Sequence, residues 1–346
     1  MSDHITVAVD GMGGDSAPEV VIGGIEATCH ADSKIKFLLF GNKEKIDPLL
    51  SRTHYAQELC ELIHTDEEVT NDDKPTFALR NRTKSSMRLA IDAVKEHKAD
   101  AVISAGNTGA LMAMATIVLK TLPGISRPAI ASSFPTQAGD SVMLDLGANV
   151  ECDSNNLVQF AVMGEVYARN ELGLSQPSVG ILNVGVEGLK GNDSVRDAAA
   201  ILKNSNLPLE FYGFIEGDDI GKGTVDVIVT DGFTGNIALK TAEGTAQMIA
   251  YFLKDALKSS ILSKAGALLA RPAIEKVRSH FDPRRYNGAL LLGLNGICVK
   301  SHGGTDEVGF AHAIQVGVNL VRRDLNDLIK EDIASVMIEP SQSIIE

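Results

Sequence analysis

Lys190 stands in the turn Gly188-Leu189-Lys190-Gly191-Asn192, shortly after the apolar run Val179–Leu182. An ammonium in a glycine-rich turn at a strand end can bind phosphate or steady a developing oxyanion. On an open surface the same residue is merely solvated. His302 follows another apolar run and precedes Gly303-Gly304; an imidazole there can donate a hydrogen bond, act as a base or simply cap the turn. Asp10, Asp145 and Asp231 also stand at strand ends. Carboxylates so placed can hold a metal but more often accept hydrogen bonds from turn amides. No Gly-x-Ser-x-Gly elbow is present and none of the four cysteines falls in such a glycine-rich turn, so no covalent nucleophile is in view.

The first glycine-rich turn, Gly11 to Pro18, follows Val7-Ala8-Val9-Asp10 and leads into a helical pattern. A dinucleotide fingerprint needs a third glycine, and an acid after the next strand to hold a ribose. Ser16 stands in place of that glycine, and the next strand ends Phe40-Gly41-Asn42, so both checks fail. A phosphate needs less: glycines that let backbone N–H groups approach, such as Gly13 and Gly14, and a helix N-terminus with its partial positive charge. Strand ends followed by glycine, asparagine or threonine recur at 104–110, 144–152, 182–193, 229–236 and 301–307. Ligands bind at the carboxyl ends of strands in open parallel sheets. Six such turns are therefore expected to lie on one edge and line a cleft for an anionic or polar substrate; the plainer reading is that their glycines cap helices and permit tight turns.

Positive charge gathers in two places. Residues 74–90 hold Arg80, Arg82, Lys84 and Arg88 and no acid. Within one helix, Arg80, Lys84 and Arg88 recur every four residues and share a face suited to phosphate or an acidic protein. Residues 254–285 carry eight Lys/Arg and three acids, an island of +5 on a chain of net charge −13. The acidic balance argues against a nucleic-acid partner. The island suits an acidic protein or an anionic surface, or is a solvated helical face.

These residues need a scaffold that brings distant turns together. Strands are expected at Ile5–Val9, Ile35–Phe40, Ala101–Ser104, Val142–Leu146, Val179–Leu182, Leu209–Phe214, Val225–Thr230 and Ile297–Lys300. Between them lie helical patterns at Pro18–Cys29, Phe77–His97, Thr108–Leu122, Asn155–Leu172, Asp193–Lys203 and Thr305–Ile329. The alternation predicts an α/β fold, an open and mostly parallel sheet with helices on both faces. From 235 to 285 no strand pattern appears; apolar residues recur at helical spacing and Arg271-Pro272 breaks the run, so two projecting helices are expected. The projection suits packing against a second subunit or, being amphipathic, lying on a membrane. The expected organisation is a single catalytic domain over 1–330 with a helical projection at about 240–288 and a C-terminal tail over 331–346. No run of apolar residues is long enough to span a bilayer, the first residues lack a signal-peptide pattern, and the scattered cysteines suit a reducing cytoplasm.

The stretches VAVDGMGGDSAPE, KPTFALRNRTKSSM, SAGNTGALMA, LDLGANVEC, VTDGFTGNIALK and SHGGTDEVGFAHAI follow one another between about residues 5 and 325. Together they resemble the successive motifs of bacterial phosphate acyltransferases, the acyl-carrier-protein:phosphate acyltransferases of phospholipid synthesis. The resemblance implies that inorganic phosphate attacks the thioester of a long-chain acyl-carrier protein, giving acyl phosphate without a covalent enzyme intermediate and with no cofactor or metal. It implies a homodimeric Rossmann-like α/β fold, cytoplasmic and peripherally attached to the inner face of the cell membrane. The acyl phosphate would pass to a membrane-bound glycerol-3-phosphate acyltransferase. Matched by motif, Lys190 and Asn236 are the implied catalytic residues, Asn236 orienting phosphate or polarising the thioester carbonyl, with His302 a third participant. Phosphate or substrate would be held by Asp10, Gly13, Gly14, Asn107, Thr108, Gly109, Asn149, Asp231, Thr234 and Gly235. The carrier protein would meet Arg80, Lys84, Arg88, Arg271 and Arg284, and the membrane tip would present Leu253, Leu257 and Ile261. Two departures stand out: only Glu187 remains of an acidic stretch usual before the lysine, and Gly11 replaces a usual Ala or Val. The competing expectations are a nicotinamide- and metal-dependent hydroxyacid dehydrogenase of related fold, and a non-catalytic membrane or carrier-protein adaptor.

Overall fold

The computed structural model describes residues 4–205, 207 and 209–337. The chain begins β1 (Ile5–Asp10), α1 (Glu19–Ala31), β2 (Ile35–Gly41), α2 (Lys43–Leu50), α3 (Ala56–Leu59), β3 (Cys60–His64), α4 (Pro75–Asn81), α5 (Ser86–Lys95), β4 (Ala101–Ser104) and α6 (Thr108–Leu119). It continues β5 (Ala129–Pro135), β6 (Asp140–Leu144), α7 (Ser154–Glu171), β7 (Ser178–Leu182), α8 (Asp193–Asn204), β8 (Glu210–Ile215), α9 (Gly217–Lys222) and β9 (Val227–Val229). Next come α10 (Gly232–Lys258), α11 (Ile261–Leu269), α12 (Arg271–His280) and a 3-10 turn at Pro283–Tyr286. The last elements are β10 (Ala289–Leu292), β11 (Ile297–Lys300), α13 (Glu307–Arg322) and α14 (Leu325–Met337).

Among the described residues, all eleven strands join one sheet in the order β3-β2-β1-β4-β11-β10-β5-β6-β9-β7-β8. Alternate side chains of each central strand enter different cores, as the two-residue period of a strand requires. Val7, Val9, Ala101 and Ile103 pack on one face with Ile25 of α1 and Phe310 of α13. Ala8 and Val102 face the other way, onto Ile91 of α5 and Leu111 of α6. In the far half, Val142, Leu144, Val227 and Val229 lie in the same core as Phe160 of α7, while Met143 and Ile228 lie opposite with Ile130. Strands covered on both faces explain the near-continuous apolar runs.

The expected α/β class holds, but strand polarity changes the placement of the six turns. β3, β2, β1, β4 and β11 run parallel to one another, as do β6, β9, β7 and β8. Between the groups, β10 is antiparallel to β11 and to β5, and β5 is antiparallel to β6. Three reversals turn the second group against the first. The carboxyl ends of β1, β4 and β11 therefore lie on one edge and those of β6, β9 and β7 on the opposite edge, three turns on each rather than six on one. β5 and β10 belong to the strands that sequence patterning passed over, together with β3.

Other boundaries differ for local reasons. The expected helix over 77–97 is two, α4 and α5, interrupted where Ser85 caps α5 by accepting a hydrogen bond from Arg88 N at 3.3 Å. The projection contains three helices, α10 to α12, and α10 starts at the sheet edge itself. Residues 331–337, expected as tail, complete α14; residues 338–346 lie outside the described residues. No described helix is long and apolar enough to cross a membrane.

Candidate active site

At the β1–β4–β11 edge the turns hold one another. Asp10 is buried and accepts from Ser86 Oγ at 2.6 Å, Ser104 Oγ at 2.7 Å and Met12 N at 3.3 Å. Burial pushes its carboxyl above the usual range, opposed by the two serine hydroxyls and by the charge of Lys300. Lys300 Nζ donates to Ala105 O at 3.2 Å and to Ser301 O, and burial lowers its pKa to about 8. A Cβ on Gly13 would stand 2.4 Å from Asp10 Oδ2 and 2.7 Å from Gly106 N. The β1 turn thus crosses the β4 turn with room only for hydrogen at that position. Asp15 N donates to Gly303 O at 2.9 Å, tying in the β11 turn.

Several residues expected to hold substrate are occupied here. Asp10 is enclosed and presents no carboxylate to a ligand. Asn107 caps α6 through Ala110 N at 3.0 Å, and its Nδ2 donates to the carbonyls of Asn71 and Asp73, each at 3.1 Å. Gly109 lies against Pro75, whose Cγ would be 2.7 Å from an added Cβ. Thr108 remains exposed at the helix start, and Gly14 adopts φ +115°, a conformation suited to glycine. The exposed His302 ring accepts from Gly304 N at its Nδ1, 3.1 Å away, which leaves Nε2 as its donor position. His302 N is fixed by Asn287 Oδ1 at 2.7 Å.

The β6–β9–β7 edge is built differently. Asp145 Oδ1 accepts from Ile130 N at 3.0 Å, Gly147 N at 3.1 Å and Ala148 N at 2.9 Å, while Oδ2 accepts from Asn149 N at 2.7 Å and Asn149 Nδ2 at 2.9 Å. That carboxylate organises the β6 turn and has no position left for a ligand. The Asn149 amide nitrogen is likewise spent, its Nδ2 also donating to Pro128 O at 2.8 Å. Asp231 caps α10 through Thr234 N and Thr234 Oγ1, both at 2.8 Å. The start of α10 presses onto the β6 turn: a Cβ on Gly235 would be 1.9 Å from Asp145 O, and one on Gly232 would be 2.6 Å from Asn149 O. The two glycines of Asp-Gly-Phe-Thr-Gly-Asn let the helix seat there. Asn236 follows with its side chain exposed beside Gly147.

Lys190 sits in the loop after β7, the neighbour of β9. Asn183 closes that loop by donating Nδ2 to Gly185 O at 3.0 Å and Lys190 O at 3.2 Å. The Lys190 side chain is exposed, and it carries no ion pair among the described residues. The structure therefore brings Lys190 and Asn236 to neighbouring turns on one edge and places His302 on the other. Cys152 lies in the turn after β6, its Sγ 3.9 Å from Asn149 O, and burial pushes its thiol up to about 12.

The expected carrier surface is thinner than the sequence suggested. The break at 82–85 removes the shared helical face of Arg80, Lys84 and Arg88, and Arg88 Nε is held by Asp92 at 3.1 Å. Arg284 is committed to Asp282 and Asp306. Arg80, Lys84 and Arg271 are exposed. At the expected tip, Leu253 and Ile261 are exposed and Leu257 is half-buried. Sequence reasoning missed Lys300 and Asn287; a lysine closing the apolar run Ile297-Cys298-Val299-Lys300 was the available signal for the first.

Residues 5–328 match a family model described as fatty acid synthesis protein. The phosphate acyltransferase of Rhodospirillum rubrum is 54% identical over 341 residues, covering 99% of this chain and 98% of that protein. That of Paramagnetospirillum magneticum is 55% identical over 345 residues, again covering 99% and 98%. Among solved structures, a phosphotransacetylase from Streptococcus pyogenes superposes with a TM-score of 0.63 at 17% identity, covering 93% of this chain and 95% of that one. One described as a 4-hydroxythreonine-4-phosphate dehydrogenase from Salmonella typhimurium reaches 0.51 at 12% identity, covering 92% and 99%. At these identities the structural likenesses speak to the fold alone.

Proposed function

The chain belongs to the phosphate acyltransferase family and is an acyltransferase of fatty acid synthesis, and on that premise we propose that it transfers a long-chain acyl group from acyl-carrier protein to inorganic phosphate at the β6–β9–β7 edge. An oxygen of phosphate attacks the thioester carbonyl carbon. The carbon–sulfur bond breaks, and the sulfur leaves as a thiolate that takes up a proton; the products are acyl phosphate and free carrier. Lys190 draws in phosphate and offsets charge on the developing oxyanion, while Asn236 Nδ2 donates to the carbonyl oxygen. His302, on the opposite edge, takes no part in this step. The observation that carries the reading is the pairing of an unengaged ammonium and an unengaged amide on adjacent turns, where Asp145 is spent on the donors of its own turn and on Ile130 N, and Asp231 on capping α10. Burial raises all four thiols, which supports direct attack by phosphate over an acyl-cysteine intermediate.

Around this centre, residues 1–330 act as one catalytic unit, and α10 beyond its first turns, with α11 and α12, serves assembly and attachment. α10 buries only Gly232 and Gly235 along its 27 residues, which suits cover by a second copy in a homodimer. The exposed apolar residues of α10 and α11, set among the basic island, suit a peripheral hold on an anionic membrane, where a glycerol-3-phosphate acyltransferase would consume the acyl phosphate. Purified protein given acyl-carrier protein should release free carrier thiol only when phosphate is present. Lys190→Ala should cut turnover about 100-fold with little loss of stability; an unchanged rate removes Lys190 from the mechanism. Thermal stabilisation by NAD without any by phosphate would favour the dehydrogenase reading instead.

A further inference from the structure

The two edges differ in their apolar surface. On the β1–β4–β11 edge the large exposed apolar side chains among the described residues are Val308 at the start of α13 and Phe77 of α4, whose Pro75 lies against the β4 turn. On the opposite edge stand Val150 after β6, Val184, Val186 and Leu189 after β7, and Phe233 and Ile237 at the start of α10. Leu189 is 92% exposed and Phe233 60% exposed, far beyond what a folded chain leaves open for its own packing. Their placement follows the polar pair. Phe233 lies three residues before Asn236 and four before Ile237, so its ring neighbours both along the first turns of α10. Leu189 directly precedes Lys190 in a loop that Asn183 holds closed through Gly185 O and Lys190 O, and Val184, Val186 and Leu189 stand exposed along it. β7 neighbours β9 in the sheet, and adjacent strands lie about 4.8 Å apart, so the two apolar groups flank the pair from neighbouring turns.

We infer that Val186, Leu189, Phe233 and Ile237 form a collar that receives the carbons of the acyl chain next to the reacting carbonyl and sets the dependence of rate on chain length. The inference rests on the acyl-transfer reading of Lys190 and Asn236. A thioester presented between an ammonium and an amide needs apolar cover for its chain, and this edge supplies it beside the pair, with six large exposed apolar residues against two on the other. The occupant is an acyl chain because the apolar residues surround polar groups suited to a carbonyl and an anion, an arrangement that matches the two ends of one substrate.

The test is kcat/KM for butyryl, octanoyl, dodecanoyl and hexadecanoyl carrier protein with saturating phosphate. It compares wild type, Leu189→Ser combined with Phe233→Ser, Ile117→Ser and Lys190→Ala. Ile117 is an exposed apolar residue on α6, outside the collar. The wild-type rate should climb with chain length, and the double variant should flatten the climb from octanoyl to hexadecanoyl at least tenfold. Ile117→Ser should keep the wild-type profile, and Lys190→Ala should lower every chain length by one common factor. A double variant whose profile runs parallel to wild type, whether lowered or not, overturns the collar while leaving the acyl-transfer reading standing. Equal flattening by Ile117→Ser overturns it as well. A wild-type protein that releases no carrier from any donor ends the acyl-transfer reading, and the collar falls with it.

Discussion

Asp10, Ser86, Ser104 and Lys300 come from β1, α5, β4 and β11, and they meet beneath the crossing of two glycine turns. A carboxylate enclosed this way is stable only while its hydroxyl donors and the nearby ammonium remain. Asp10→Asn keeps the shape but leaves the Lys300 charge without its nearest counter-charge. The expected loss is about 3 kcal/mol of unfolding free energy, seen as a lower urea midpoint with an unchanged slope. A midpoint equal to wild type would mean that the pair is not held as described. At this scale several residues singled out in the sequence have partners that the sequence does not show. Asp10, Asn107 and Asn149 were expected to touch substrate, yet their partners arrive from positions far away in the chain, which spacing does not show. Lys190 lies in the loop that its sequence suggested, closed locally by Asn183, whereas Asn236, expected in a turn, already belongs to α10.

Helices carry the next level of argument. Gly235 is where α10 touches Asp145 O, so Gly235→Ala must lift the first turn of the helix, because backbone cannot yield as a flexible side chain does. Asn236 moves with it. A displacement near 1 Å is expected to lower kcat/KM roughly 100-fold, with a smaller effect on melting temperature; activity within twofold of wild type would show that the contact is not critical. In α7, Glu165 is buried with Arg169 Nε 3.0 Å away and Asp332 of α14 paired to the same guanidinium. Burial raises its pKa to about 7 from an ordinary 4.5, partly offset by Arg169 and reinforced by Asp332. The folded state therefore holds a proton that the unfolded chain releases earlier. The stabilisation is fully present below pH 4.5 and is lost as pH rises through 7. Glu165→Gln should remove that slope, so that variant minus wild-type stability rises by on the order of 2 kcal/mol between pH 5 and pH 8. A constant difference across that range would place the Glu165 pKa near its ordinary value. Sequence patterning found α7 almost to the residue but joined α4 to α5, because the break depends on Ser85 capping and on Arg82 turning to Asp73 at 3.1 Å.

The whole molecule is organised by the strand reversal at β10, β5 and β6, which sends two sets of glycine-rich turns to opposite edges. Alternating apolar runs announced the α/β class, but they carry no sign of direction, so polarity was beyond the reach of patterning. One consequence is that α10 leaves from the edge that holds Lys190 and Asn236 and runs 27 residues outward, about 40 Å at 1.5 Å per residue. The far end of that helix and α11 expose Phe252, Leu253, Ile261 and Leu262, and the surrounding island carries net charge +5. A surface with both properties should bind anionic vesicles through two separable terms, one apolar and one electrostatic. Leu253→Asp combined with Ile261→Asp removes the apolar term and adds repulsion, so binding to phosphatidylglycerol vesicles should fall at least tenfold, about 1.4 kcal/mol. Raising salt to about 0.5 M should weaken the wild-type protein as well, since the Debye length then falls to roughly 4 Å, but should leave a residual hold that the double variant lacks. If salt alone abolishes wild-type binding, the apolar residues do not enter the membrane. If the double variant binds as wild type does, α10 and α11 are covered by another surface, and the second copy of the chain becomes their partner.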